Sequence, residues 1–144
     1  MQTQSYSNHS RYIPLYHFIT SGLAIAVFFL SVFKLYKAVT HEKFYYVAVV
    51  LVIISTVLIL LWWYTRAFAL KAQDRAIRAE ENFRHYLLTG KPLDKKLGIK
   101  QIVALRFASD EEFPALSEKA AREDLKATEI KKAITNWKAD FDRA

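Results

Sequence analysis

The chain has no cysteine among its 144 residues, which removes disulfides, thiolate zinc sites and cysteine nucleophiles and fits a reducing compartment. Glycine and proline number only three each, and there is no Gly-rich phosphate cradle, no P-loop and no GxSxG turn on which serine or phosphate chemistry could be mounted. Four histidines, at 9, 17, 41 and 85, form neither an i,i+4 pair nor an HExxH motif. The two long apolar runs lack a full charge in their interiors, which argues against a proton relay, an ion-coupled pump or a voltage sensor. No catalytic, cofactor-binding or metal-binding residue is therefore assigned, and the reading leans away from an enzyme.

What the chain does have is apolar sequence concentrated before Thr65. The run from Phe44 to Tyr64 is long enough to cross a bilayer, and it is followed by a charged, alanine-rich stretch to Leu88 with no glycine or proline. The two halves read as one helix that leaves the membrane and continues as a stalk, roughly 65 Å long at the usual rise per residue. A first span covers 12–36. Pro14 suits its first turn, and Tyr12, Tyr16 and Tyr36 suit the headgroup zones. A cleaved signal peptide is the rival reading of this run, but the apolar stretch is too long and no clean small-x-small site follows it. Gly22 and Ala26 have a small-xxx-small spacing that allows close approach of a neighbouring helix.

The expected organisation is all-α. It comprises a polar segment at 1–11, a span at 12–36, a hairpin loop at 37–43, a second span at 44–65, a stalk at 66–88 and a small helical domain at 89–144. So short a loop makes the spans antiparallel and leaves both termini on one side. Arg11, Arg66, Lys71, Arg75 and Arg78 on that side outnumber Lys34, Lys37 and Lys43 on the other, which favours cytoplasmic termini.

Net charge is +7, and it is uneven: ten Lys/Arg face four acids from Arg66 to Arg106, whereas seven face nine from Phe107 onward. A basic belt next to the span suits anionic lipid headgroups. No nucleic-acid-binding motif accompanies it, so nucleic acid is not an expected partner. Along the stalk, Ala69, Ala72, Ala76, Ala79, Phe83 and Tyr86 alternate three and four apart, the spacing of a helix-packing seam. Such a seam would pack either on the C-terminal helices of the same chain or on another copy. Asp74 with Arg78, and Glu80 with Arg84, are spaced for exposed i,i+4 pairs.

Gly90 and Pro92 stop the stalk. Three short helices are expected beyond it, from about Ile99 to Ala108, from a capping box at Ser109 and Glu112 to near Asp124, and from about Ala127 to Asp142. Trp137 is the expected central core residue of this domain, and Ile130, Ile134, Trp137 and Phe141 share a face of its last helix.

Four runs carry a resemblance. They are Tyr6-x-Asn8-His9-x-Arg11-x-x-Pro14-x-x-His17-Phe18, Gln73-Asp74-Arg75-x-Ile77-Arg78-x-Glu80-Glu81, Gln101-Ile102-x-Ala104-Leu105-Arg106-Phe107-Ala108-Ser109-Asp110-Glu111-Glu112 and Glu129-Ile130-Lys131-x-Ala133-Ile134-x-x-Trp137-x-x-Asp140. Together they span nearly the whole chain and resemble a family of small bacterial two-span membrane proteins of unknown function. The resemblance implies a bacterial inner-membrane protein and brings no activity with it. It also groups polar residues that spacing alone leaves scattered: Asn8, His9, Arg11, His17, Asp74, Arg75, Arg78, Glu81, Arg106 and Asp110. In the expected arrangement the N-terminal segment and the Ala104 to Glu112 turn clasp the start of the stalk. The leading expectation is a membrane-anchored interaction or scaffold protein that self-associates. An oligomeric channel or small transporter lined by Ser/Thr faces, and an enzyme or metal site at the polar cluster, are the alternatives.

Overall fold

A computed structural model describes residues 4–6, 8, 12–41 and 45–140. Within them the chain is all-helical. Helix α1 is Leu15–His41, α2 is Tyr46–Thr89, α3 is Ile99–Leu105, α4 is Phe113–Glu123 and α5 is Ala127–Ala133. The only β feature among the described residues is an isolated antiparallel bridge between Ala108 and Trp137. The chain divides into two units, Tyr12–Phe68 on one hand and Met1–Arg11 with Ala69–Ala144 on the other.

In the first unit, α1 and the first half of α2 are each long and apolar enough to cross a membrane, and little of either is buried within the chain. Tyr16 lies with Trp62 and Ser31 with Ser55, so the two helices run antiparallel as a hairpin. Beyond Tyr16 and His17 at its start, the residues of α1 that lose most exposure are Ser21, Ala24, Phe28, Ser31, Leu35 and Ala38; facing them on α2 are Ala48, Val52, Ser55, Ile59 and Trp62, with Val49 also partly buried. Both sets alternate three and four apart, the rhythm of knobs-into-holes packing. Their closest points are small: Ala38 and Ala48 are fully buried, and the Ser31 and Ser55 hydroxyls share a hydrogen bond at 3.0 Å. Small residues permit close helix approach where apolar side chains gain nothing over lipid. Gly22 and Ala26 do not serve this role, since a Cβ on Gly22 would meet nothing within 4 Å. The expected loop at 37–43 is shorter than read, because α1 continues to His41.

The start of α1 is wound as a π-helix over Leu15–Thr20, directly after Pro14. His17 closes this end of the helix, its Nδ1 accepting from the Ile13 N–H at 3.1 Å. Tyr12 and Tyr16 lie edge-on to its ring, at 5.6 and 5.4 Å. The free N–H groups at a helix start need partners, and the imidazole supplies one.

In the second unit, the distal half of α2 docks the three short helices through Ile77, Glu81 and His85, all buried, with Arg84 beside them. Gly90 takes a left-handed conformation (φ +71°) and its N–H closes on the Tyr86 carbonyl at 2.8 Å, ending α2. The returning chain is tied to the helix it has left: Asn82 Oδ1 accepts from the Leu93 N–H at 2.9 Å, and the His85 ring bonds the Lys91 carbonyl at 2.7 Å. Phe107, Phe113, Leu105 and Ile130 then form the centre of the core.

Two expectations about this unit change. Glu112 does not pair with Ser109 in a capping box; its carboxylate accepts the backbone N–H groups of Thr135 and Asn136 at 3.2 and 2.8 Å. The last helix stops at Ala133 instead of running to Asp142, because Ile134 is already extended. The chain beyond pairs with the end of α3 instead: Ser109 N–H to Asn136 O at 3.1 Å, and Lys138 N–H to Phe107 O at 2.8 Å. Trp137 is accordingly half-buried against Phe107 (ring centroids 4.9 Å apart) and is not the centre of the core. Phe141, its expected companion on that face, lies outside the described residues.

Candidate functional site

The polar chemistry of the second unit gathers at two arginines. Arg84 projects from α2 and is almost enclosed, its side chain 12% exposed. Its Nε donates to Asp110 Oδ1 (2.7 Å), Nη2 donates to the Ala108 carbonyl (2.7 Å) and forms an ion pair with the same Asp110 oxygen (2.6 Å), and Nη1 donates to Glu81 Oε2 (3.0 Å). The planar guanidinium also lies over the Phe113 ring at 4.4 Å. Only arginine combines a rigid fork of donors with a stacking face, so one side chain joins α2, the end of α3 and the start of α4. The bond and charge from Arg84 hold the Asp110 carboxyl below the usual aspartate range.

Arg106, immediately after α3, is buried and pairs with Asp140 Oδ2 at 3.3 Å. Asp140 in turn receives the N-terminal segment. The Gln4 amide bonds its backbone on both sides, Nε2 donating to the Asp140 carbonyl at 3.3 Å and Oε1 accepting from its N–H at 2.9 Å. Lys132 lies 5.9 Å from the Tyr6 ring centre. Gln4 and Tyr6, among the first described residues, thus dock on the last described part of the chain.

Between α2 and this tail runs a groove of about 450 Å³, lined by Gln73, Ala76, Ile77, Glu80 and Glu81 on one wall and by Arg106, Lys138, Ala139 and Asp140 on the other. Among the described residues no group of three His, Cys, Asp or Glu is placed to hold a metal ion.

Of the residues singled out from sequence, Glu81, Arg106 and Asp110 come together in this region, Glu81 and Asp110 through Arg84 and Arg106 across the groove from Glu81. Asp74 is half-buried on the docked side of α2, while Arg75 and Arg78 are exposed. Asn8 organises the N-terminal turn, its Oδ1 accepting from the Ser5 N–H at 2.6 Å. His17 is bonded to Ile13 as described above. His9 and Arg11 lie outside the described residues.

Sequence reasoning missed Arg84 as a hub and assigned it to an exposed pair with Glu80. That pair does not form, because the guanidinium turns to Asp110 and Glu81 instead. The clue was present: Ile77, Glu81, Arg84 and His85 share one helical face. Ala69, Ala72, Ala76, Ala79 and Phe83, expected as a packing seam, are all exposed, so the C-terminal helices do not cover them, and Ala76 borders the groove opposite residues 138–140.

The arrangement uses the same residue runs that carried the sequence resemblance, and the family of unknown function DUF6526 matches the chain over residues 1–144. The chain belongs to the DUF6526 family. No curated protein and no solved structure matches it. In this DUF6526 chain the site consists of an arginine-centred latch that fixes the helical unit to α2, and a groove of mixed charge beside it.

Proposed function

We propose that this DUF6526 protein is a membrane-anchored interaction or scaffold protein that works as a homo-oligomer in the bacterial inner membrane. Both chain ends are cytoplasmic, and the helical unit is held on the distal half of α2. The observation that carries the reading is the exposed apolar face of α2 beyond the apolar span: Phe83, Tyr86 and Leu87 are 63%, 54% and 68% exposed and prolong the alanine face that starts at Ala69. An apolar patch left open outside the hydrocarbon is the usual mark of a protein contact surface. The basic residues Arg66, Lys71, Arg75 and Arg78 supply the accompanying attraction to anionic headgroups.

A pore lined by hydroxyls draws less support. Ser31 and Ser55 bond each other within the hairpin, and the Thr20 and Thr56 hydroxyls bond carbonyls of their own helices. Light scattering of the full chain in mild detergent tests the reading. Scaffold function requires a polypeptide mass that is a multiple of one chain, with no ion flux in liposomes above the protein-free background. A monomer at all concentrations contradicts it, and flux that follows the oligomer makes it a channel.

A further inference from the structure

We propose that the partner of the open face of α2 is a second copy of the same chain, packed as a parallel, in-register pair and held in register by Arg75 of each copy against Glu80 of the other. This rests on the self-association reading above and specifies its geometry. With Ala69, Ala76 and Phe83 as one set of core positions and Ala72, Ala79 and Tyr86 as the other, the face is a two-and-a-half-heptad seam. Its centre lies about 155° around α2 from that of the Ile77, Glu81, Arg84 and His85 face that docks the rest of the unit, at 100° per residue. Ala76 and Glu80, on one edge of the seam, also line the groove opposite Lys138, Ala139 and Asp140, so a second copy would lie alongside that tail.

Orientation follows from the anchor. Two copies inserted the same way in one bilayer bring α2 out with the same polarity, so only a parallel pair is available to them. In a parallel two-stranded coil, the position before each first-set core residue faces the partner position five residues further on, and charges there decide orientation and partner choice. Those two positions are Arg75 and Glu80, of opposite sign. An antiparallel pair would not bring them together.

Both side chains are exposed, and neither has an ion pair among the described residues. Glu80 is available because Arg84, its helical neighbour, is engaged by Glu81 and Asp110. The latch that holds the helical unit to α2 thus also leaves an acid for the partner. Alanine at four of the six core positions lets the helices approach closely, while Phe83 and Tyr86 bring most of the apolar area to the far end of the seam.

Because the chain has no cysteine, single cysteines report the geometry without background. The full chain in anionic vesicles, carrying either Ala72→Cys or Ala79→Cys, is expected to form disulfide-linked dimers on mild oxidation, whereas Lys71→Cys and Arg78→Cys, on outward positions, are not. In the Ala79→Cys background, Arg75→Glu or Glu80→Arg alone is expected to slow cross-linking roughly fivefold, and the double swap to restore it, since two symmetric pairs turn from attraction to repulsion. Cross-linking through the outward positions, or no rescue by the double swap, overturns the paired geometry while leaving self-association standing if light scattering still gives an oligomer. A chain that is monomeric by light scattering and uncrosslinked at every position overturns both.

Discussion

Arg84 shows how one residue can decide whether a small helical unit holds its place. Its guanidinium satisfies two carboxylates and one main-chain carbonyl in a site largely closed to water, so removing it leaves Glu81 and the Ala108 carbonyl without their donor. Arg84→Ala should lower the stability of the second unit by about 2–3 kcal/mol, and Arg84→Lys should recover only part of it, because lysine has neither the fork nor the stacking face. Pulse proteolysis of the full chain in detergent reads this directly. The Asp110 partner gives a pH dependence of defined sign. A carboxyl held below its ordinary range contributes stability that is complete above that range and is lost as pH falls through the lowered value. Because Asp110 is largely exposed, the effect is under about 1 kcal/mol. The wild type should therefore weaken below about pH 4, and Asp110→Asn should flatten that part of the profile while being less stable near neutrality. The helical face that Arg84 shares with Ile77, Glu81 and His85 marks it as a docking residue, but i,i+4 geometry also offered it Glu80, and its partners at Ala108 and Asp110 are 24 and 26 residues away.

At the scale of elements, the sequence told most where composition changes sharply. The two apolar runs, the unbroken continuation of the second into a charged helix and its stop at Gly90 can all be read from composition and turn chemistry. The packing face inside the hairpin was hidden because the spans are apolar all round; only the small residues Ser31, Ala38, Ala48 and Ser55 distinguish it, and they are weak signals in a hydrophobic background. The end of the chain was misread for a different reason. Ile130, Ile134 and Trp137 fit a helical face, yet the N–H groups of Thr135 and Asn136 are taken by Glu112 and the next residues pair with Phe107 and Ser109, so long-range bonds outweigh local helix preference. Gln4 adds a further tie to that tail. Removing Met1 to Ser10, or making Gln4→Ala, should raise trypsin cleavage at Lys138 by up to about thirtyfold, the loss expected of two hydrogen bonds near 1 kcal/mol each. Cleavage as slow as in the wild type would show that the N-terminal segment holds nothing.

For the whole molecule, the two faces of the distal half of α2 have separate roles in this account. One is committed to the chain's own helices through Ile77, Arg84 and His85; the other is apolar, exposed and bordered by unlike charges. The three-four spacing pointed to the seam, and the C-terminal helices, one of its two candidate occupants, leave its residues exposed. The groove beside Arg106 was not legible in advance, since its walls come from α2 and from residues 138–140, which the sequence reading had placed in a helix. The central claim is that a second copy fills the open face in a bilayer. Its most direct test is subunit counting by single-molecule photobleaching of the fluorescently labelled full chain in anionic vesicles at a protein-to-lipid ratio low enough to exclude chance encounters. The account predicts a majority of two-step traces that convert to single steps with Phe83→Glu; single-step traces for the wild type would contradict it.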